Sequence, residues 1–196
     1  MKEIELLNPV ALAAKETGKL TVKTYDTLEG KNVAIVWSFL PWRGFELFSK
    51  KLRELLVERY QVKEVLDFNA VTATSHGGAQ THEEHQKSTE RVIDDLEKKT
   101  DCALIGAAFC GSCTYACVEA VMETTKRGVP IVALTNKEFE SLARVVCQAK
   151  GYKFDDLSWL VLPADINTLP EQEINSIVEE RLEEIQEHLK GKTGVL

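Results

Sequence analysis

Two cysteines spaced as Cys110-Gly111-Ser112-Cys113 define the chemistry open to this chain. A thiolate is a nucleophile and a reductant, and a second thiol three residues away can close a small disulfide behind it. Gly111 permits a tight turn and close backbone approach. Ser112 is the expected N-cap of the helix that follows, with Cys113 as its first residue. Unpaired N–H groups and the partial positive charge of a helix N-terminus favour a thiolate there. Cys110 is therefore the expected nucleophile or redox centre and Cys113 its resolving partner. Gly111, Ser112 and Thr114 are placed to contact a substrate at Cys110. The bland alternative is two small hydrophobes in a tight turn, because free cysteine is often only buried.

The other candidates are weighed against packing. Cys117 shares a helical face with Cys113. It is a third thiol, a metal ligand or, by preference, a packing residue, since buried cysteine is common. Cys102 and Cys147 also read as packing. His76, His82 and His85 fall in or near the segment 69–98. His76, beside Gly77-Gly78, is the candidate acid–base partner of Cys110. A metal site is the alternative, with Cys110, Cys113, His82 and His85 as four tetrahedral ligands. His188 reads as a surface residue near a helix C-terminus. Ser38 and Arg43 follow the first strand, and Arg43 can pair with an anionic group. Trp42, in the same loop, is a ligand stack or a packing lid. Thr135 and Asn136 close the fourth strand and offer a hydroxyl and an amide.

These residues need a frame. Val33 to Trp37 is a β-branched run of the kind covered on both faces of a parallel sheet. Phe45 to Tyr60 has a helical period, and Val62 to Phe68 is a second strand. Asn69 to Gln80 is a long polar connection with a glycine pair, and such loops are often functional. Thr81 to Lys98 is a charged helix. Cys102 to Ala108 is the third strand, and Ser112 to Arg127 a helix with Gly128 as its stop. Val129 to Leu134 is the fourth strand. A helix capped by Asn136 runs to Lys150, and Trp159 to Leu162 is the fifth strand. One last helix runs to Lys190, with Pro170 at its first position.

Strands alternating with helices predict a three-layer α/β/α fold: a doubly wound, parallel five-stranded sheet in the flavodoxin-like order 2-1-3-4-5. In that order the first and third strands flank the switch point, where ligands bind beyond the strands' carboxyl ends. Residues 1–30 read as an N-terminal arm over the domain or a partner subunit, 31–190 as a single α/β domain, and 191–196 as a frayed tail.

The stretch Asp101 to Thr114, with CGSC at its centre, resembles the UGSC family, named for a motif whose first position is selenocysteine or cysteine. Leu7-Asn8-Pro9, Leu28 to Lys31, Gly128-Val129-Pro130, Phe139 to Gly151 and Leu162-Pro163 are also similar to it. The resemblance covers most of the chain and implies that Cys110 stands at the selenocysteine position. It thereby implies a reactive nucleophilic or redox centre, in a family member that carries cysteine there.

Composition narrows the rest. The chain has 196 residues, of which 44% are hydrophobic and 28% charged, and a net charge of -7. That suits a globular enzyme and argues against nucleic acid or an acidic membrane as partner. No apolar run approaches a membrane span, and the first residues form no signal peptide. An uneven five cysteines without such a signal argue for the reducing cytoplasm. No Walker A, GxGxxG or nucleophile elbow is present, so no organic cofactor is expected, although a metal ion is possible. The expected function is cysteine-dependent, an oxidoreductase acting on a small molecule, with a thiol reductant as possible partner. Non-redox proton transfer of the lyase or racemase kind, by two facing cysteines, is the alternative enzyme reading. A Cys/His metal-binding protein is the alternative outside it. A homodimer is expected through the arm and the aromatic Trp37 to Phe48 region.

Overall fold

The β-branched run after Lys31 forms β1 (Asn32–Trp37), with Val33 to Val36 buried. The computed structural model describes residues 20–37, 42–69 and 82–192, with the backbone alone at 82–86, 88 and 89. The elements that follow are α1 (Arg43–Tyr60), β2 (Glu64–Asn69), α2 (His82–Lys99), β3 (Cys102–Ala108), α3 (Gly111–Lys126) and β4 (Ile131–Asn136). After them come α4 (Lys137–Ala149), β5 (Trp159–Leu162), α5 (Glu171–Glu180) and α6 (Leu182–Leu189). Single 3-10 turns at Phe154–Asp156 and Ile166–Thr168 flank β5.

All five strands pair in parallel in the order β2-β1-β3-β4-β5, as the alternating sequence predicts. Every residue of β3 and β4 is buried, which explains why neither shows an apolar/polar alternation. One core joins the sheet to α1, α5 and α6; Phe45, Phe48, Leu52 and Leu56 of α1 face it at helical spacing. The other core lies under α2, α3 and α4, with Leu96, Val118, Val121 and Cys147 among its residues. The fold is thus a three-layer α/β/α sandwich.

Three local expectations are corrected. The last helix is two: the chain leaves helical values at Arg181 (φ −98°, ψ 3°). Ile174 and Val178 of α5 are buried on the side of α1, whereas α6 packs on β3 and β4, and one straight helix cannot serve both neighbours. Pro170 is the N-cap of α5 rather than its first residue. His188 is not a surface residue. Its side chain is only 17% exposed, and burial lowers its pKa despite Glu184 3.9 Å away.

The amino-terminal edge of the sheet is tied down by polar contacts. The Lys23 amide donates to Gly128 O and that of Tyr25 to Lys190 O, so the described part of the arm crosses this edge. Gly128 sits at φ 78°, a left-handed value that stops α3 and turns its carbonyl toward Lys23. Gly191 is buried, with its amide donating to His188 O. Residues 193–196 lie outside the described residues. Among the described residues no helix is long and apolar enough to cross a membrane.

Candidate functional site

β3 delivers the CGSC motif to the carboxyl edge of the sheet, between β1 and β4. Its last turns are shaped by Phe45 at the start of α1. The Phe45 ring occupies the space that a Cβ on Gly106 would need, and Trp37 of β1 meets the same ring edge-on at 4.7 Å. Only glycine lets ring and strand approach so closely. The register of β3 against β4 shifts between Ile105 and Ala108, beside that contact.

Cys110, not Ser112, is the N-cap of α3. Its backbone is extended (φ −154°, ψ 169°) and its Sγ accepts the Cys113 N–H at 3.2 Å. Its carbonyl accepts from the Thr114 amide at 2.9 Å and the Thr114 hydroxyl at 2.7 Å. Gly111 opens the helix, so Ser112 already lies within the first turn and is exposed, its Oγ 3.5 Å from Cys110 Sγ. A sulfur reaches the N–H three residues on as a serine oxygen does, so the cap fell earlier than hydroxyl preference suggests.

Cys110 and Cys113 are joined as a disulfide, with Cα atoms 5.1 Å apart. The two sulfurs differ in access: Cys110 is partly exposed, while Cys113 is wholly buried. No acidic residue occupies the first turn of α3. The helix is held to its neighbour by Lys150, which donates to Tyr115 Oη at 2.8 Å and Glu119 Oε1 at 2.6 Å.

The other three cysteines are buried and in no disulfide. Burial, with Asp101 adding to it and Lys31 opposing, pushes the Cys102 thiol far above its usual range. Burial likewise pushes Cys147 up to about 12, against smaller opposing effects of Arg144 and the local backbone. Cys117 packs in the core between α3 and the sheet, as preferred from sequence.

Thr135 is wholly buried and its hydroxyl donates to Ala108 O at 3.2 Å, joining β4 to the end of β3. Arg43 is exposed in the first turn of α1, where it donates to Leu169 O at 3.3 Å. Ser38 and His76 lie outside the described residues. His82 and His85 contribute backbone to the first turn of α2. Among the described residues no group of three or more His, Cys, Asp or Glu could hold a metal ion. The structure therefore brings Cys110, Gly111, Ser112, Cys113, Thr114 and Thr135 to one sheet edge.

Two further donors belong to this edge. Asn136 caps α4, its Oδ1 accepting the Phe139 N–H at 3.0 Å, while its buried Nδ2 has no partner among the described residues. Trp42 is the N-cap of α1 and packs against the core, also with an unpartnered buried Nε1. A capping asparagine is legible in sequence; the fate of its second amide atom is not.

A family model described as the UGSC family matches residues 5–191. Among solved structures, the flavoenzyme NAD(P)H:(acceptor) oxidoreductase FerB from Paracoccus denitrificans is 13% identical, with TM-score 0.34, covering 81% of this chain and 98% of that one. A dipicolinate synthase component from Bacillus halodurans is 14% identical, with TM-score 0.42, covering 86% of this chain and 95% of that one. No curated protein matches the chain.

Proposed function

The chain belongs to the UGSC family, and on that premise we propose that it is a thiol-dependent oxidoreductase acting on a small molecule. Cys110 is the attacking thiolate and Cys113 the resolving thiol. The observation that carries this reading is their asymmetry at a helix N-terminus. The partly exposed Cys110 sulfur accepts the Cys113 N–H, and the buried Cys113 sulfur lies within bonding reach behind it. A backbone N–H and the helix dipole both stabilise sulfur as a thiolate.

In the reaction Cys110 attacks one atom X of an oxidised substrate X–Y; an S–X bond forms as the X–Y bond breaks and Y leaves with its electron pair. Cys113 then attacks the Cys110 sulfur, closing the disulfide and expelling X with the S–X pair, and the two thiol protons pass to X and Y. Two electrons leave the dithiol in that step. An external thiol reductant returns them by exchange at the accessible Cys110 sulfur.

Proton transfer between two facing thiols receives no support from this arrangement, because sulfurs within bonding distance leave no room for a substrate between them.

The test is trapping. Reduced protein is mixed with oxidised glutathione and analysed by mass spectrometry. Cys113→Ser should accumulate a mixed disulfide on Cys110, while the wild type passes on to the internal disulfide. Cys110→Ser should form neither. A stable adduct on wild-type Cys110 with no internal disulfide would defeat the resolving role of Cys113.

A further inference from the structure

We infer that Asn136 anchors a carboxylate group of the molecule presented to Cys110; the inference rests on the thiol reading above. Asn136 is only 1% exposed, and its Nδ2 has no hydrogen-bond partner among the described residues. Leaving a buried N–H unpaired is costly, so such a group in a native site calls for an acceptor. The amide cannot simply turn over to find one, because Oδ1 is held by the Phe139 N–H at 3.0 Å. That bond sets Oδ1 toward the first turn of α4 and leaves Nδ2 on the side away from that turn.

Position along the sheet connects the donor to the thiol. Thr135 stands opposite Ala108 across the β3–β4 pair, and its hydroxyl bonds the Ala108 carbonyl. Asn136 is therefore level with Phe109, the residue before Cys110. Trp42, whose Nε1 has no partner among the described residues, packs instead on the α1 face of the sheet. Cys110 thus follows the strand next to the one that carries Asn136, at a helix whose first turn carries no acid. A donor without an acceptor, beside a helix N-terminus, suits an oxygen anion. The first turn of α4 does hold Glu138 and Glu140, but Glu138 is exposed and Glu140 accepts from Arg144.

Iodoacetate and iodoacetamide separate the two claims, because they differ only in the carboxylate. Each alkylates by attack of the thiolate on the methylene carbon with loss of iodide. Reduced protein is treated with either reagent, and the rate at Cys110 is followed by peptide mass spectrometry with glutathione as reference. The iodoacetate-to-iodoacetamide ratio at Cys110 should exceed that of glutathione. In Asn136→Ser, which keeps a neutral cap but cannot reach as far, the ratio should fall roughly tenfold while the iodoacetamide rate holds, as expected for one charge-assisted hydrogen bond. Asn136→Asp, which also caps, should lower the ratio further; melting curves identify a variant that fails to fold. A ratio unchanged in both folded variants, or a wild-type ratio equal to that of glutathione, overturns the inference. A wild-type iodoacetamide rate no faster than that of glutathione defeats the activated-thiol reading instead, and the ratio still reports on Asn136.

Discussion

The two ends of β3 carry the same residue type into opposite surroundings. Cys102 opens the strand and Cys110 follows it. At the Cys102 end, Tyr25 Oη donates to Asp101 O at 3.2 Å and the Asn32 backbone amide donates to Asp101 Oδ2 at 2.9 Å. The Asn32 atom left without a partner among the described residues is an acceptor, Oδ1. The sulfur there lies in the core, where burial keeps it a neutral thiol. At the Cys110 end the strand leaves the sheet into a helix N-terminus, and on β4's side a donor, Asn136 Nδ2, has no partner among the described residues. Position along a parallel strand, rather than residue type, thus separates a sulfur sealed in the core from a partly exposed one at a helix N-terminus. The helices that follow β1, β3 and β4 begin at the carboxyl edge, so their positive ends gather there and not at the other edge.

The largest expected effect tests that contrast directly. In reduced native protein, Cys110 should alkylate about a thousandfold or more faster than Cys102 or Cys147 at pH 8, because a thiol raised to about 12 is scarcely ionised there. Mass spectrometry of each cysteine peptide measures this, and comparable rates would break the comparison. Cys102→Ala should leave the fast phase intact, and Cys110→Ala should remove it.

The next effect concerns how the reactive end is shaped. Gly106→Ala forces a methyl group into the Phe45 ring. A loss of about 3 kcal/mol is expected in urea unfolding, from overpacking. Pairing it with Phe45→Leu, which makes room, should recover part of the loss. A Gly106→Ala protein as stable as wild type would mean that the ring moves freely and does not shape the strand end.

A smaller effect distinguishes the two amide atoms of Asn136. Asn136→Ala should cost about 1 kcal/mol through loss of the α4 cap, whereas Asn136→Ser should retain most of that stability. Equal losses would mean that capping is not what Oδ1 contributes.

The smallest effect belongs to the amino-terminal edge. His188 is half-buried beside Pro130 and Gly191, and desolvation lowers its pKa from 6.5. Between the lowered value and 6.5 the unfolded chain binds more protons than the folded one. Stability should therefore rise with pH across that window and be lost as pH falls through it, by at most about 1.4 kcal/mol per pH unit. His188→Gln should flatten that part of a pH–stability profile, measured by urea midpoints. A profile unchanged by the substitution would place the acid sensitivity elsewhere.

Much of this was legible beforehand because it is written in local periodicity. Val33 to Val36 and Cys102 to Ala108 are apolar runs without alternation, and that pattern already implies strands covered on both faces. The strand–helix junction at Gly111 placed the thiol pair at the carboxyl edge. Boundaries failed where two local options were close in energy. Either Cys110 or Ser112 could cap α3, and the backbone stays extended at Cys110 and turns helical at Gly111, which makes Cys110 the cap. Leu169 to Lys190 has one continuous helical period, and the separate positions of α1 and of β3 and β4 broke it at Arg181. His188 looked exposed because its sequence neighbours Glu187 and Lys190 are charged, yet its cover comes from chain segments far from it in sequence.

Spacing alone therefore determined that Cys110 and Cys113 could form one redox pair, because three residues of chain bring two sulfurs together wherever they are placed. The order of the sheet also followed from sequence, since buried strands alternating with helices have few ways to pack. Tertiary structure alone decided which thiol is accessible, which is sealed, and that the Asn136 amide stands level with Phe109 with no partner among the described residues. Those properties depend on the register of β3 against β4 and on helices that meet only after folding. No pattern within one segment encodes what a neighbouring segment leaves unsatisfied.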